Sequence, residues 1–155
     1  MNLEIALFSE IKQPTPLALI KKILKKTSNF FKKPKTACLS VILVGEKKMK
    51  NLNWLYRQKN QVTNVLSFPT FLKKDKIRSR DLEIEEDDLG DIFICYPEAL
   101  RETKKYQLTL KEELSRLLVH GFLHLLGYDH QKEKEAIKME RLEKRILKSL
   151  RENKL

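Results

Sequence analysis

All the histidines of the chain fall inside one stretch, His120-Gly-Phe-Leu-His124-Leu-Leu-Gly127-Tyr128-Asp129-His130. If the run from Leu108 to Leu126 is a helix, His120 and His124 project from the same face, because four steps of about 100° overshoot a full turn by only roughly 40°. Gly127 stands where the end of that helix needs a left-handed residue, so the chain can turn there and bring His130 back toward the pair. Three imidazoles then converge on one metal ion. Zinc held by three histidines keeps a fourth position for water, which separates a catalytic site from a closed structural one.

The spacing of the three histidines, with glycine three residues before the last, is that of the metzincin metalloproteases. Position 121, however, is Gly. The glutamate that a zinc protease places beside its first ligand as general base is therefore missing. Unrelated core or surface histidines are the plainer alternative, and the joint spacing speaks against them. The stretch suits a zinc site built for another substrate.

The elements that must position this site fit one domain spanning 1–155, long enough to bury a core without a structural metal or disulfides. Cys38 and Cys95 each sit inside an apolar run and are expected to be buried thiols in a reducing compartment. The N-terminus lacks the pattern of a leader and no run reaches the length of a membrane span, so a soluble, cytoplasmic protein is expected. Of the formal charge of +11, residues 1–63 carry 13 Lys and Arg against 3 Glu, a net +10. A basic face of this kind suits a polyanion, although a solvated lysine-rich surface would give the same count.

Alternation of Leu3, Ile5 and Leu7 with polar neighbours predicts an opening strand. Leu17, Ile20, Ile23, Leu24 and Phe30, with lysines between, predict a basic amphipathic helix over 17–31; a membrane-surface role for its lysines is weaker than core packing. Residues 36–44 read as an inner strand, and Glu46 to Arg57 as a helix with Met49, Leu52, Leu55 and Tyr56 at helical spacing. A polar loop from Gln58 to Asn64 leads to a short edge strand at 65–68, closed by Pro69. The charged stretch 70–88 reads as a solvated loop without chemistry. A strand at 89–95, a short helix opened by Pro97, a helix carrying His120 and capped by Thr109 with Glu112 or Glu113, and a last helix over about 132–150 complete the chain. Its apolar positions are Ile137, Leu142, Ile146 and Leu150, with the charges paired on a wet face.

Taken together, His120 to His130, the segment Leu52-Asn53 through Tyr56-Arg57 with Thr63-Asn-Val-Leu-Ser-Phe-Pro69, and Leu89-Gly-Asp-Ile-Phe-Ile-Cys95 resemble the YbeY family of bacterial rRNA-maturation endoribonucleases. The resemblance covers about residues 50–130. It implies an α+β fold with a small, mostly parallel or mixed sheet of about four strands packed with helices, and a three-histidine metal site at the end of a central helix. It also implies His120, His124 and His130 as metal ligands, with zinc, or another divalent metal such as nickel, as cofactor, and Arg57 as a required residue. The implied activity is single-strand-specific cleavage of RNA in maturing the 3′ end of 16S rRNA and in ribosome quality control. Val62 stands where a proline is common, and Phe122 is bulkier than the usual residue; these departures would loosen the loop after Arg57 and reshape the pocket wall.

Phosphodiester cleavage needs a nucleophile and a way to stabilise charge at phosphorus. A zinc ion can acidify water and polarise a phosphoryl oxygen, which would replace the missing glutamate. Arg57 offers a planar fork to two phosphate oxygens, where otherwise it would read as a surface arginine at a helix end. Asp129 is a further catalytic candidate, with an orienting or turn-forming role favoured. Asn64 and Ser67 are candidate substrate-binding groups. The expected partners are rRNA and the small ribosomal subunit, with no membrane and a monomeric state. A zinc-dependent peptidase or other hydrolase, and a ribosome-assembly factor whose metal only shapes a surface, are the competing readings.

Overall fold

The computed structural model describes residues 1–32, 34–70, 87–129 and 132–152. In chain order these form β1 (Asn2–Ser9), α1 (Leu17–Ser28), β2 (Thr36–Val44), α2 (Glu46–Arg57), β3 (Val65–Pro69), β4 (Asp87–Cys95), α3 (Tyr96–Tyr106), α4 (Leu110–Leu125) and α5 (Glu133–Glu152). The sheet order is β1-β2-β4-β3. The pairs β1–β2 and β2–β4 are parallel, and β3 runs antiparallel to β4 on the edge. The fold is therefore α+β with a mixed sheet, as the family resemblance implies.

Strand periodicity divides the interior into two layers. Ala37, Leu39, Val41 and Leu43 of β2, with Ile92 and Ile94 of β4, face the main core formed with α1, α4 and α5. The opposite face is smaller: Val44, Leu66 and Cys95 pack against Met49 of α2, with Phe68 and Phe93 beside them. Helix α4 is the pivot of the larger layer and contacts α1, α3, α5, β3 and β4. Leu114, Leu117, Leu118, Phe122 and Leu123 on it are buried. Burying each such side chain contributes roughly 1.5–3 kcal/mol.

Several sequence-based expectations change in detail. Helix α1 stops at Ser28, and Phe30 and Phe31 follow it in a turn. The Thr27 hydroxyl donates to the Ile23 carbonyl and that of Ser28 to the Lys25 carbonyl, so side chains take up the last turn's acceptors. On α2, Met49 and Asn53 are buried, whereas Leu55 and Tyr56 are exposed. Cys95 is buried and burial raises its thiol pKa, which fits an inert structural thiol, but Cys38 is half-exposed. Strand β4 starts at Asp87, inside the stretch read as loop; residues 71–86 of that stretch lie outside the described residues. Leu89 is the extra residue of a bulge opposite β2, after which Gly90 takes φ +118°. A side chain at Gly90 would place its Cβ 2.1 Å from the Phe68 carbonyl oxygen, so the backbones of β3 and β4 meet there only because the residue is glycine.

Candidate active site

Helix α4 is fixed at both ends by its own sequence. The Thr109 hydroxyl accepts from the Glu112 N–H at 3.2 Å, and the Glu112 carboxylate accepts from the Thr109 N–H at 2.9 Å. This capping box holds the Glu112 carboxyl below the usual carboxylate range, chiefly through the bond from the Thr109 backbone. At the other end Gly127 has φ +88°. The Tyr128 N–H reaches the Leu123 carbonyl and the Gly127 N–H reaches that of His124, both at 3.0 Å, which is the Schellman pattern. The left-handed turn expected at Gly127 is present.

Between these ends the first two histidines meet. The Nε2 atoms of His120 and His124 lie 3.1 Å apart, with ring centroids 4.6 Å apart. Two imidazoles on one tetrahedral zinc, with Zn–N near 2.05 Å, hold their nitrogens about 3.4 Å apart. The observed separation matches that bite to within a few tenths of an ångström, so the pair fits a shared metal. Two nitrogens do not complete a zinc site. Among the described residues no three His, Cys, Asp or Glu side chains gather as a metal-binding group, and His130 lies outside the described residues.

A further contact to the histidine pair comes from α5. Nδ1 of His120 lies 2.7 Å from Oε1 of Glu143. The charge pattern of the last helix puts Glu143 on a wet face, yet its side chain is only 23% exposed. Met139, Ile146 and Leu150 are the buried residues of α5, and Ile137 is exposed. A glutamate four residues after Met139 and three before Ile146 therefore sits on the inward stripe, and that position was the available signal.

The groove outside the histidine pair has a volume of about 720 Å³. Its walls include Arg57, Asn64, Ser67, His120, His124 and Asp129, so every described candidate from the sequence borders one space. Arg57 ends α2 and is exposed, and Gln58 caps the helix in the left-handed region. Buried Asn53 ties the following loop back by donating from Nδ2 to the Gln61 carbonyl at 2.8 Å. Tyr56 stands beside Arg57 with its ring edge-on to Phe68, centroids 4.7 Å apart. The peptide oxygen of Asn64 accepts from the Cys95 N–H at 2.9 Å, and its Nδ2 donates to Glu102 at 2.9 Å. Asn64 thus anchors the loop as well as bordering the groove.

Glu102 continues into a charged chain beneath that loop. Arg116 donates to Glu102 and to both oxygens of Glu113. Burial raises the Glu113 carboxyl pKa, with Arg116 opposing. Burial pushes Glu102 the same way but is outweighed by hydrogen bonds from Glu113 and Asn64 and by the Arg116 charge, which hold it below the usual range.

Gly121 and Phe122 have roles different from those the sequence suggested. Gly121 is buried against the sheet, and a Cβ there would lie 3.0 Å from Ser67 Oγ and 3.1 Å from Ile92 Cγ2. A glutamate at 121 would have to displace Ser67 and Ile92 to fit. Phe122 is fully buried against Phe31, ring centroids 5.6 Å apart, and does not border the groove. Val62 packs partly buried against the smaller core, and the loop it belongs to is tied down by Asn53.

Fold and groove define an α+β protein with an imidazole pair at the end of a central helix and an arginine across from it. The family described as endoribonuclease YbeY matches residues 6–151. An endoribonuclease YbeY from Thermodesulfovibrio yellowstonii is 46% identical over 121 residues, covering 77% of this chain and 71% of the relative. The one from Phytoplasma australiense is 41% identical over 112 residues, covering 72% and 74%. A Thermotoga maritima protein solved in solution superposes with a TM-score of 0.61 at 27% identity, covering 94% of this chain and 87% of its own. The chain belongs to the YbeY family of endoribonucleases, hydrolases that act on RNA.

Proposed function

We propose that the protein is a metal-dependent, single-strand-specific endoribonuclease that matures the 3′ end of small-subunit rRNA and takes part in ribosome quality control, acting in the cytoplasm as a monomer. The observation that carries this reading is the imidazole pair of His120 and His124, Nε2 atoms 3.1 Å apart, on the groove that Arg57 also borders. His120, His124 and His130 would hold the metal, zinc in the first instance and nickel as an alternative. Such an ion supplies a Lewis acid for a phosphoryl oxygen and lowers the pKa of water toward about 7.

The chain's own residues do the rest. Arg57 places its planar donors on two nonbridging oxygens of the scissile phosphate and offsets the charge that builds there. Ser67 and Asn64 bind the RNA backbone as hydrogen-bonding groups, with Asn64 held in place by Glu102. Asp129 borders the groove and orients a histidine or holds the turn after Gly127. Exposed Tyr56 at the groove offers a face for an unstacked base, which favours single-stranded RNA. The basic N-terminal half adds phosphate contacts. No helix among the described residues is long and apolar enough to cross a membrane.

The peptidase reading weakens because position 121 carries no carboxylate and a Cβ there would already crowd Ser67 and Ile92. The test is made in cells carrying Arg57→Ala or His124→Ala. Either change is expected to leave unprocessed rRNA 3′ ends. Normal maturation in both strains would favour a binding factor and overturn the proposal.

A further inference from the structure

The contact between α5 and His120 carries an inference that rests on the metal reading above. We propose that Glu143 is a positioning residue that selects the His120 tautomer and thereby prepares the imidazole pair to take a metal. A carboxylate accepts hydrogen bonds, so at 2.7 Å it draws the ring proton to Nδ1. Nε2 of His120 is then left with its lone pair, and this is the atom 3.1 Å from Nε2 of His124. Without the carboxylate a neutral imidazole favours neither nitrogen strongly, and the His120 ring loses one of the contacts that hold it.

The location reinforces the chemistry. His120 and Glu143 side chains are 34% and 23% exposed, so the pair is shielded more than a surface ion pair and less than a core one. Glu143 stands on the stripe of α5 that buries Met139, Ile146 and Leu150, so the packing of those three side chains sets where its carboxylate sits. Docking of α5 on α4 is thereby coupled to the chemistry of His120. The last helix completes the site as well as the core.

The experiment compares wild type, Glu143→Ala, Glu143→Gln and His120→Ala as full chains. Zinc affinity is measured by competition with a chromophoric chelator, and the His120 tautomer by nitrogen NMR of the metal-free protein. Wild type should carry the proton on Nδ1, and Glu143→Ala should lose that preference and bind zinc about 10–100-fold more weakly. Glu143→Gln, whose amide oxygen still accepts a hydrogen bond, should fall between them, and it serves as the readout if the alanine variant unfolds. Unchanged tautomer and affinity in the Glu143 variants, with zinc binding lost in His120→Ala, would overturn this proposal alone. Absence of zinc binding by wild type would overturn it together with the metal reading.

Discussion

At the scale of single residues, the spacing of His120 and His124 was readable because helix geometry turns a four-residue interval into a shared face, and the two nitrogens do meet. Arg57 was readable only through family resemblance, since nothing in its own neighbourhood distinguishes it from any arginine at a helix end. It is exposed, so its replacement should leave stability unchanged within about 0.5 kcal/mol. Arg57→Lys keeps the charge but loses the planar fork, and cleavage of a single-stranded RNA oligonucleotide should fall on the order of 100-fold in kcat. A lysine variant with wild-type turnover would reduce the arginine to a point charge. Glu143 was missed because its neighbours, Lys144, Arg145 and Glu140, make the segment look like a solvated ladder. Its position between Met139 and Ile146 showed otherwise, but the meaning of an inward glutamate depends on what α4 presents to it, which is a tertiary fact.

At the scale of elements, α4 was the most legible part of the chain. Thr109 with Glu112 announced its start and Gly127 its end, and both caps have the expected hydrogen bonds. The end of α1 was less legible, because apolar Phe30 continues the helical spacing although the helix stops at Ser28. The bulge at Leu89 follows from how β4 pairs with β2 and the close approach at Gly90 from how β3 lies on β4, information that strand periodicity lacks. Position 121 joins element to function. Gly121→Glu would force a carboxylate against Ile92, and the combined overpacking and desolvation should lower stability by roughly 3 kcal/mol or more in urea denaturation. A Gly121→Glu protein as stable as wild type would mean that the helix can lift from the sheet, reopening room for a protease-like base.

At the scale of the whole molecule, the strands and helices were readable from their periodicity, the α+β class with a mixed sheet came through the family resemblance, and the division into two layers on either side of the sheet required the register of β2 and β4. The sequence elements flanking the sheet deliver Arg57 from α2, Asn64 and Ser67 from the region of β3, and the histidines from α4 to one groove. Residues 1–63 carry the net +10 and also supply Arg57. The reading as a metal-dependent ribonuclease is tested most directly by measuring metal content and cleavage of a single-stranded RNA together, on wild type and His124→Ala. Wild type should carry stoichiometric metal and lose cleavage when a chelator removes it. His124→Ala should keep the wild-type circular dichroism spectrum while losing both metal and cleavage. Cleavage at the wild-type rate by metal-free protein or by His124→Ala would contradict the account.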